Sequence, residues 1–154
     1  VALPPEQHAW MYLITLMGAL PGVAILVRMN RHMADPRGLI AVAILLTVAG
    51  LVVALWSLSA WTLGLGLVLF FAGFTALETI LPALVSMFAP ATLRGTAMGI
   101  FSSAQFLGVF AGGALGGNAL YWGGYEGLVT AVLGLTLIWL LGLWRFSYAP
   151  VSTT

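Results

Sequence analysis

Glu78 is the residue of this chain most able to do chemistry. It interrupts the apolar run 61–88, and no other charged residue lies between Arg37 and Arg94. Hydrocarbon penalises a charge heavily, so an acid in such a run normally faces a bundle interior or a watery path. There it is placed to take up and release a proton. One reading is an acid that couples protons or touches substrate. The other is a hydrogen-bonded carboxyl that holds two helices together.

Pro82 lies four residues after Glu78. Proline has no N–H to offer the carbonyl four residues back, which is that of Glu78 itself. The spacing predicts an acid, a freed carbonyl and a kink at one place. Thr75 shares the face of Glu78, and Thr79 follows it directly. Broken helices with exposed backbone groups are common at transporter binding sites. Proline is also tolerated in membrane helices without any such role. Pro21, between Gly18 and Gly22, should bend an earlier helix in the same way.

A second set of polar groups lies in 96–122. Gln105 is central to that run, and Ser102 is three residues before it, on the same helix face. Gln105 needs a hydrogen-bond partner, either a neighbouring helix or substrate. The run is also rich in glycine. Gly99, Gly108, Gly112, Gly113, Gly116 and Gly117 include pairs four apart. Such pairs make a flat groove that a second helix can approach closely.

These residues need helices to carry them. About 20 apolar residues cross a bilayer as a helix. Five runs qualify, at about 10–27, 39–58, 61–88, 96–122 and 128–144. They are continuously apolar, whereas a membrane β-barrel needs short segments that alternate polar and apolar. The runs at 39–58 and 128–144 carry few polar residues and should meet lipid over much of their surface. Close helix contacts are therefore expected at Gly112 and Gly113 rather than at Gly50.

All five arginines fall on one side of these spans. Arg28, Arg31 and Arg37 lie between the first and second, Arg94 between the third and fourth, and Arg145 after the fifth. The positive-inside rule makes that side cytoplasmic, with the N-terminus outside and the C-terminus inside. The basic loop also contains Asp35. Its arginines suit lipid phosphates as well as topology.

Composition agrees with an all-α integral membrane chain. Of its 154 residues, 62% are hydrophobic and 6% are charged. A soluble domain carries about a quarter charged residues to cover its surface. The net charge of +1, without lysine or a basic run, gives no footprint for nucleic acid. There is no cysteine, and His8 and His32 fall in different loops. No metal site, cofactor or catalytic dyad is expected, and the chain is read as a non-enzyme. The start, Val1-Ala2-Leu3-Pro4-Pro5-Glu6, lacks the pattern of a signal peptide and is read as the interior of a longer protein.

Taken together, the motifs resemble the major facilitator superfamily. Arg94-Gly95-Thr96-Ala97-Met98-Gly99, Gln105-Phe106-Leu107-Gly108 and Gly112-Gly113-Ala114-Leu115-Gly116-Gly117 look like the eleventh helix of drug–proton antiporter-like members. Phe74-Thr75-Ala76-Leu77-Glu78, with Leu81-Pro82-Ala83-Leu84-Val85-Ser86 and Ala89-Pro90, looks like their tenth. Asp35-Pro36-Arg37-Gly38 resembles a reduced form of the superfamily's Gly-x-x-x-Asp-Arg-x-Gly-Arg loop. It lacks the leading glycine and the second basic residue, which weakens a gating role.

The resemblance implies helices eight to twelve, part of the C-terminal half-bundle of a twelve-helix carrier. It also implies that the N-terminal helices are missing partners. The implied activity is proton-coupled efflux of a small molecule, by alternating access in the bacterial inner membrane. The alternative is a small scaffold or subunit that packs through its glycine-rich helix without transporting.

Overall fold

The computed structural model describes Met17, Arg28 and residues 36–145. Apart from Met17, the expected span at 10–27, with Pro21, lies outside the described residues, as do the loop residues Arg31 and Asp35. Within the described residues 36–145 lie three helices: α1, Arg37–Leu55; α2, Ala60–Phe88; and α3, Arg94–Arg145. Each is long and apolar enough to cross a membrane, and no strand occurs among the described residues.

The helix ends follow local chemistry. Pro36 has no N–H to leave unsatisfied, and its carbonyl accepts from Ile40 N at 3.0 Å as α1 begins. α1 closes at Leu55, three residues before the expected end at 58. Beyond it, Ser57 N–H and Oγ both donate to Ala54 O, at 3.3 and 2.8 Å. Ser59 opens α2 with a reciprocal cap. Its Oγ accepts from Thr62 N at 3.2 Å, and Thr62 Oγ1 accepts from Ser59 N at 3.2 Å. Pro90 starts the turn into α3, and its carbonyl accepts from Leu93 N at 2.9 Å.

α3 has 52 residues. A straight helix of that length would reach about 78 Å, well beyond a hydrocarbon core of about 30 Å. Gly124 resolves this with φ 59° and ψ −153°, a conformation open essentially only to glycine. The chain turns back there. A Cβ on Gly127 would lie 2.6 Å from Ala119 O, and one on Gly116 would lie 3.6 Å from Leu128 Cδ1. Along a straight helix, residues 119 and 127 would be about 12 Å apart. α3 is therefore two arms, 94–123 and 125–145, folded against each other beside Gly124. With α1 and α2, these arms overlie the expected spans 39–58, 61–88, 96–122 and 128–144.

The chain divides into two compact units, one ending at Glu78 and the other starting at Thr79. In the first unit, α1 and residues 60–78 of α2 form an antiparallel pair with almost no side chain between them. Ala43 and Thr47 oppose Gly73, Gly50 opposes Gly66 and Phe70, and Ala54 opposes Gly66. A Cβ on Gly73 would lie 2.5 Å from Ala43 O, and one on Gly66 would lie 2.6 Å from Ala54 N. Thr47 keeps its hydroxyl on its own helix, donating to Ala43 O at 2.8 Å. Ile40, Ala43, Ile44, Ala72, Ala76 and Leu77 form the buried apolar part of this unit with Leu39.

This corrects the expectation that close helix contacts lie at Gly112 and Gly113 rather than at Gly50. Val42 and Leu45 are exposed, but the opposite side of α1 is the tightest contact in the described chain. The cause is a row of small residues at 43, 47, 50 and 54 meeting glycines at 66 and 73. Together they let two backbones touch.

In the second unit the arms of α3 are largely uncovered. Only 6% of the most apolar stretch of α3 is buried, against 28% in α1 and in α2.

Candidate functional site

The seam with α1 fixes which side of α2 is free. At about 100° per residue, Gly66, Ala72, Gly73 and Ala76 lie on the packed side, and Glu78 lies opposite them. Glu78 and Phe74 are exposed, while Phe71 and Thr75 are half-buried on the same side. The α1–α2 pairing thus turns the acid away from the tight seam.

An aromatic group precedes the acid. Phe70 stacks on Phe74 with ring centroids 5.9 Å apart and planes 5° apart, and Phe71 meets Phe70 edge-on at 5.4 Å. Phe74 is one helical turn before Glu78. Sequence reasoning named Thr75 and Glu78 but not this ring group. Phenylalanines at 70, 71 and 74, leading toward the acid, were the available signal.

Pro82 is inside α2 and half-buried, and the helix continues through it to Phe88. Thr79 is exposed. Thr75, Glu78, Thr79 and Gln105 each engage a partner within the fold.

In arm 94–123 the half-buried positions are Ala97, Met98, Phe101, Ser102, Gln105, Gly116 and Ala119. At helical spacing they fall on one side, centred near Gln105. Ser102 and Gln105 therefore share the better-covered face of this arm. Thr96, Ser103 and Asn118 fall on the other side, and all three are exposed. Asn118 Nδ2 donates to Ala114 O at 2.8 Å. Asn118 was missed by sequence reasoning, hidden among the glycines that precede it.

A Cβ on Gly99, Gly108, Gly112, Gly113 or Gly117 would meet nothing within 4 Å, and one on Gly116 would reach only Leu128. The glycine groove is thus open among the described residues. Arg37 and Arg94 are the first residues of α1 and α3, Arg145 is the last of α3, and Arg28 and Arg94 are exposed. Among the described residues, no group of three metal-ligating side chains gathers.

The site can thus offer an acid beside stacked rings on one face of an apolar helix. Arm 94–123 separately offers an amide with a hydroxyl on one face and a glycine groove left open.

The chain is 36% identical over 148 residues to the inner membrane transport protein YajR of Escherichia coli (strain K12), covering 89% of the chain. It is 39% identical over 77 residues to an uncharacterized transporter of Buchnera aphidicola subsp. Baizongia pistaciae (strain Bp), covering 50% of the chain. The chain spans 30% of the first relative's length and 20% of the second's. Both relatives are named as transporters and neither as an enzyme. No family model matches the chain, and no solved structure matches it.

Proposed function

We propose that the chain is the C-terminal part, helices eight to twelve, of a secondary transporter of the major facilitator type. The whole carrier exports a small molecule in exchange for protons, by alternating access across the bacterial inner membrane. The N-terminus of this chain is outside and its C-terminus is cytoplasmic. Its partners are the bilayer, the remaining helices of the carrier, substrate and protons.

The observation that carries this reading is similarity along 89% of the chain to a protein named for inner membrane transport. Chemistry supports the coupling part. Glu78 is an exposed carboxyl on an apolar helix, turned away from the α1–α2 seam. Facing lipid would be costly, so the acid faces a hydrated path or the remaining helices. Protonation there changes its charge and gives a proton gradient something to act on.

Glu78 and Thr75 are assigned to the substrate or proton pathway, and so, on their own helix, are Gln105 and Ser102 of arm 94–123. Pro82 bends α2. The groove of Gly99, Gly108, Gly112, Gly113, Gly116 and Gly117 receives a neighbouring helix. Arg28, Arg31, Asp35, Arg37 and Arg94 are assigned to the cytoplasmic loops.

The test is reconstitution in liposomes with an imposed pH gradient. The chain alone and the chain joined to the preceding helices of its carrier are compared. Gradient-driven movement of small molecules should require the longer protein. Transport by the chain alone would contradict the assignment as a part. A reading frame that starts at Val1 would favour the scaffold instead.

A further inference from the structure

We infer that the connection between α1 and α2, residues 56–59, together with Trp61, is a lipid-immersed anchor. It lies at the boundary between headgroups and acyl chains rather than projecting into water. This rests on the reading that the helices cross a membrane.

The first observation is what the turn exposes. Leu58 is 95% exposed, Trp61 89% and Trp56 55%. Three large apolar side chains within six residues point away from the protein. A turn in water normally carries Gly, Pro, Asn, Asp or Ser at such positions. Here the hydroxyl side chains are spent inward.

The second observation is where those polar groups go. Ser57 Oγ donates to Ala54 O at 2.8 Å. Thr62 Oγ1 donates to Ser59 O at 2.9 Å and accepts from Ser59 N at 3.2 Å. Ser59 Oγ lies 3.0 Å from Thr62 Oγ1 and accepts from Thr62 N. The backbone N–H groups of Trp56 and Leu63 are bonded to Val52 O and Ser59 O. All three hydroxyls, and three of the six backbone N–H groups of residues 56–61, are thus satisfied internally. That arrangement lowers the cost of leaving bulk water. The N–H groups of Leu58, Ala60 and Trp61 have no such bond here, which suits the headgroup level and not the centre of the bilayer.

The third observation is charge. Nothing ionisable lies between Arg37 and Glu78, so nothing holds this turn at the aqueous surface. The other described connections differ. The 89–93 turn runs directly into exposed Arg94, and the turn at Gly124 carries exposed Glu126. Tryptophan favours the interface, where its ring is buried and its N–H stays wet. A turn with leucine at its tip and tryptophan on either side fits that layer. It would hold the tightly crossed α1–α2 pair at a fixed depth.

The absence of cysteine permits a direct test in the full chain in phosphatidylethanolamine–phosphatidylglycerol vesicles. Leu58→Cys and Trp56→Cys are spin-labelled. Collision with oxygen, which partitions into lipid, is compared with collision with a water-soluble nickel chelate. Leu45→Cys, on the exposed side of α1, reports the hydrocarbon, and Ala91→Cys reports water. Labels at 56 and 58 should be several-fold more accessible to oxygen relative to nickel than the label at 91, and less so than that at 45. A label at 58 that behaves like the one at 91 overturns the inference. So does an immobilised label screened from both reagents, which would mean a protein partner. Nickel access at 45 would instead show that the membrane reading itself has failed.

Discussion

A Cβ placed on Gly50 would lie 2.6 Å from the carbonyl oxygen of Gly66, and one placed on Gly66 would lie 2.9 Å from the carbonyl oxygen of Gly50. The two glycines are each other's contact surface. No side chain fits between α1 and α2 at that level, and the backbones cannot retreat without losing the pair.

Gly50→Leu and Gly73→Leu should therefore separate the helices. Overpacking a tight contact costs about 1–3 kcal/mol and sometimes more, and these two sites belong at the upper end. Gly64→Leu, in the same helix with nothing within 4 Å of its Cβ, should be nearly neutral. Thermal unfolding in detergent, read by circular dichroism, compares the three. Equal melting points would remove the case for a backbone contact.

Much of the helix layout was legible in the sequence. Continuous apolar runs mark α1, α2 and both arms of α3, and the glycines from 123 to 127 mark the place where α3 turns back. The role of Gly50 was not legible, because one glycine in an apolar run looks like any other. Its meaning comes from pairing with Gly66 and Gly73, and pairing is a property of two helices. The acid at 78 was visible at once, since charge in hydrocarbon is a strong signal. The side it faces depends on the α1 seam, and the stacking of Phe70 on Phe74 depends on rotamers; neither is written in residue order.

Gly124→Ala tests the reversal of α3. A side chain at φ 59° and ψ −153° costs about 1–3 kcal/mol. Gly123→Ala, in open space, should change stability little. The first variant should lower the melting temperature in detergent while the second does not. Equal tolerance of both would contradict a turn fixed by that one backbone.

The cap on α2 should have a measurable value. Ser59→Ala removes the acceptor for Thr62 N, and the loss of such a cap costs about 1 kcal/mol. Ser59→Asp keeps an acceptor for that N–H but adds charge. A turn in water should tolerate the aspartate better than the alanine, whereas an immersed turn should reverse that order. Relative stability in liposomes distinguishes the two.

Topology follows from the arginines and can be read with cysteines. Ala91→Cys and Asp35→Cys should be shielded from an impermeant thiol reagent added to intact cells, and Tyr125→Cys should react. Labelling at 91 or 35 with none at 125 would invert the orientation.

The most direct test of the account is the pH dependence of transport by the complete carrier, with and without Glu78→Gln. Glutamine is nearly isosteric and keeps hydrogen bonds to neighbours, but it cannot cycle between charged and neutral forms. The variant should reach the membrane at the normal level and still bind substrate. Its gradient-driven efflux should fall about a hundredfold or more, the scale of losing a proton-transfer group, and its pH dependence should flatten. Unchanged transport and an unchanged pH profile in Glu78→Gln, at equal membrane expression, would contradict a coupling role and leave the acid a structural residue.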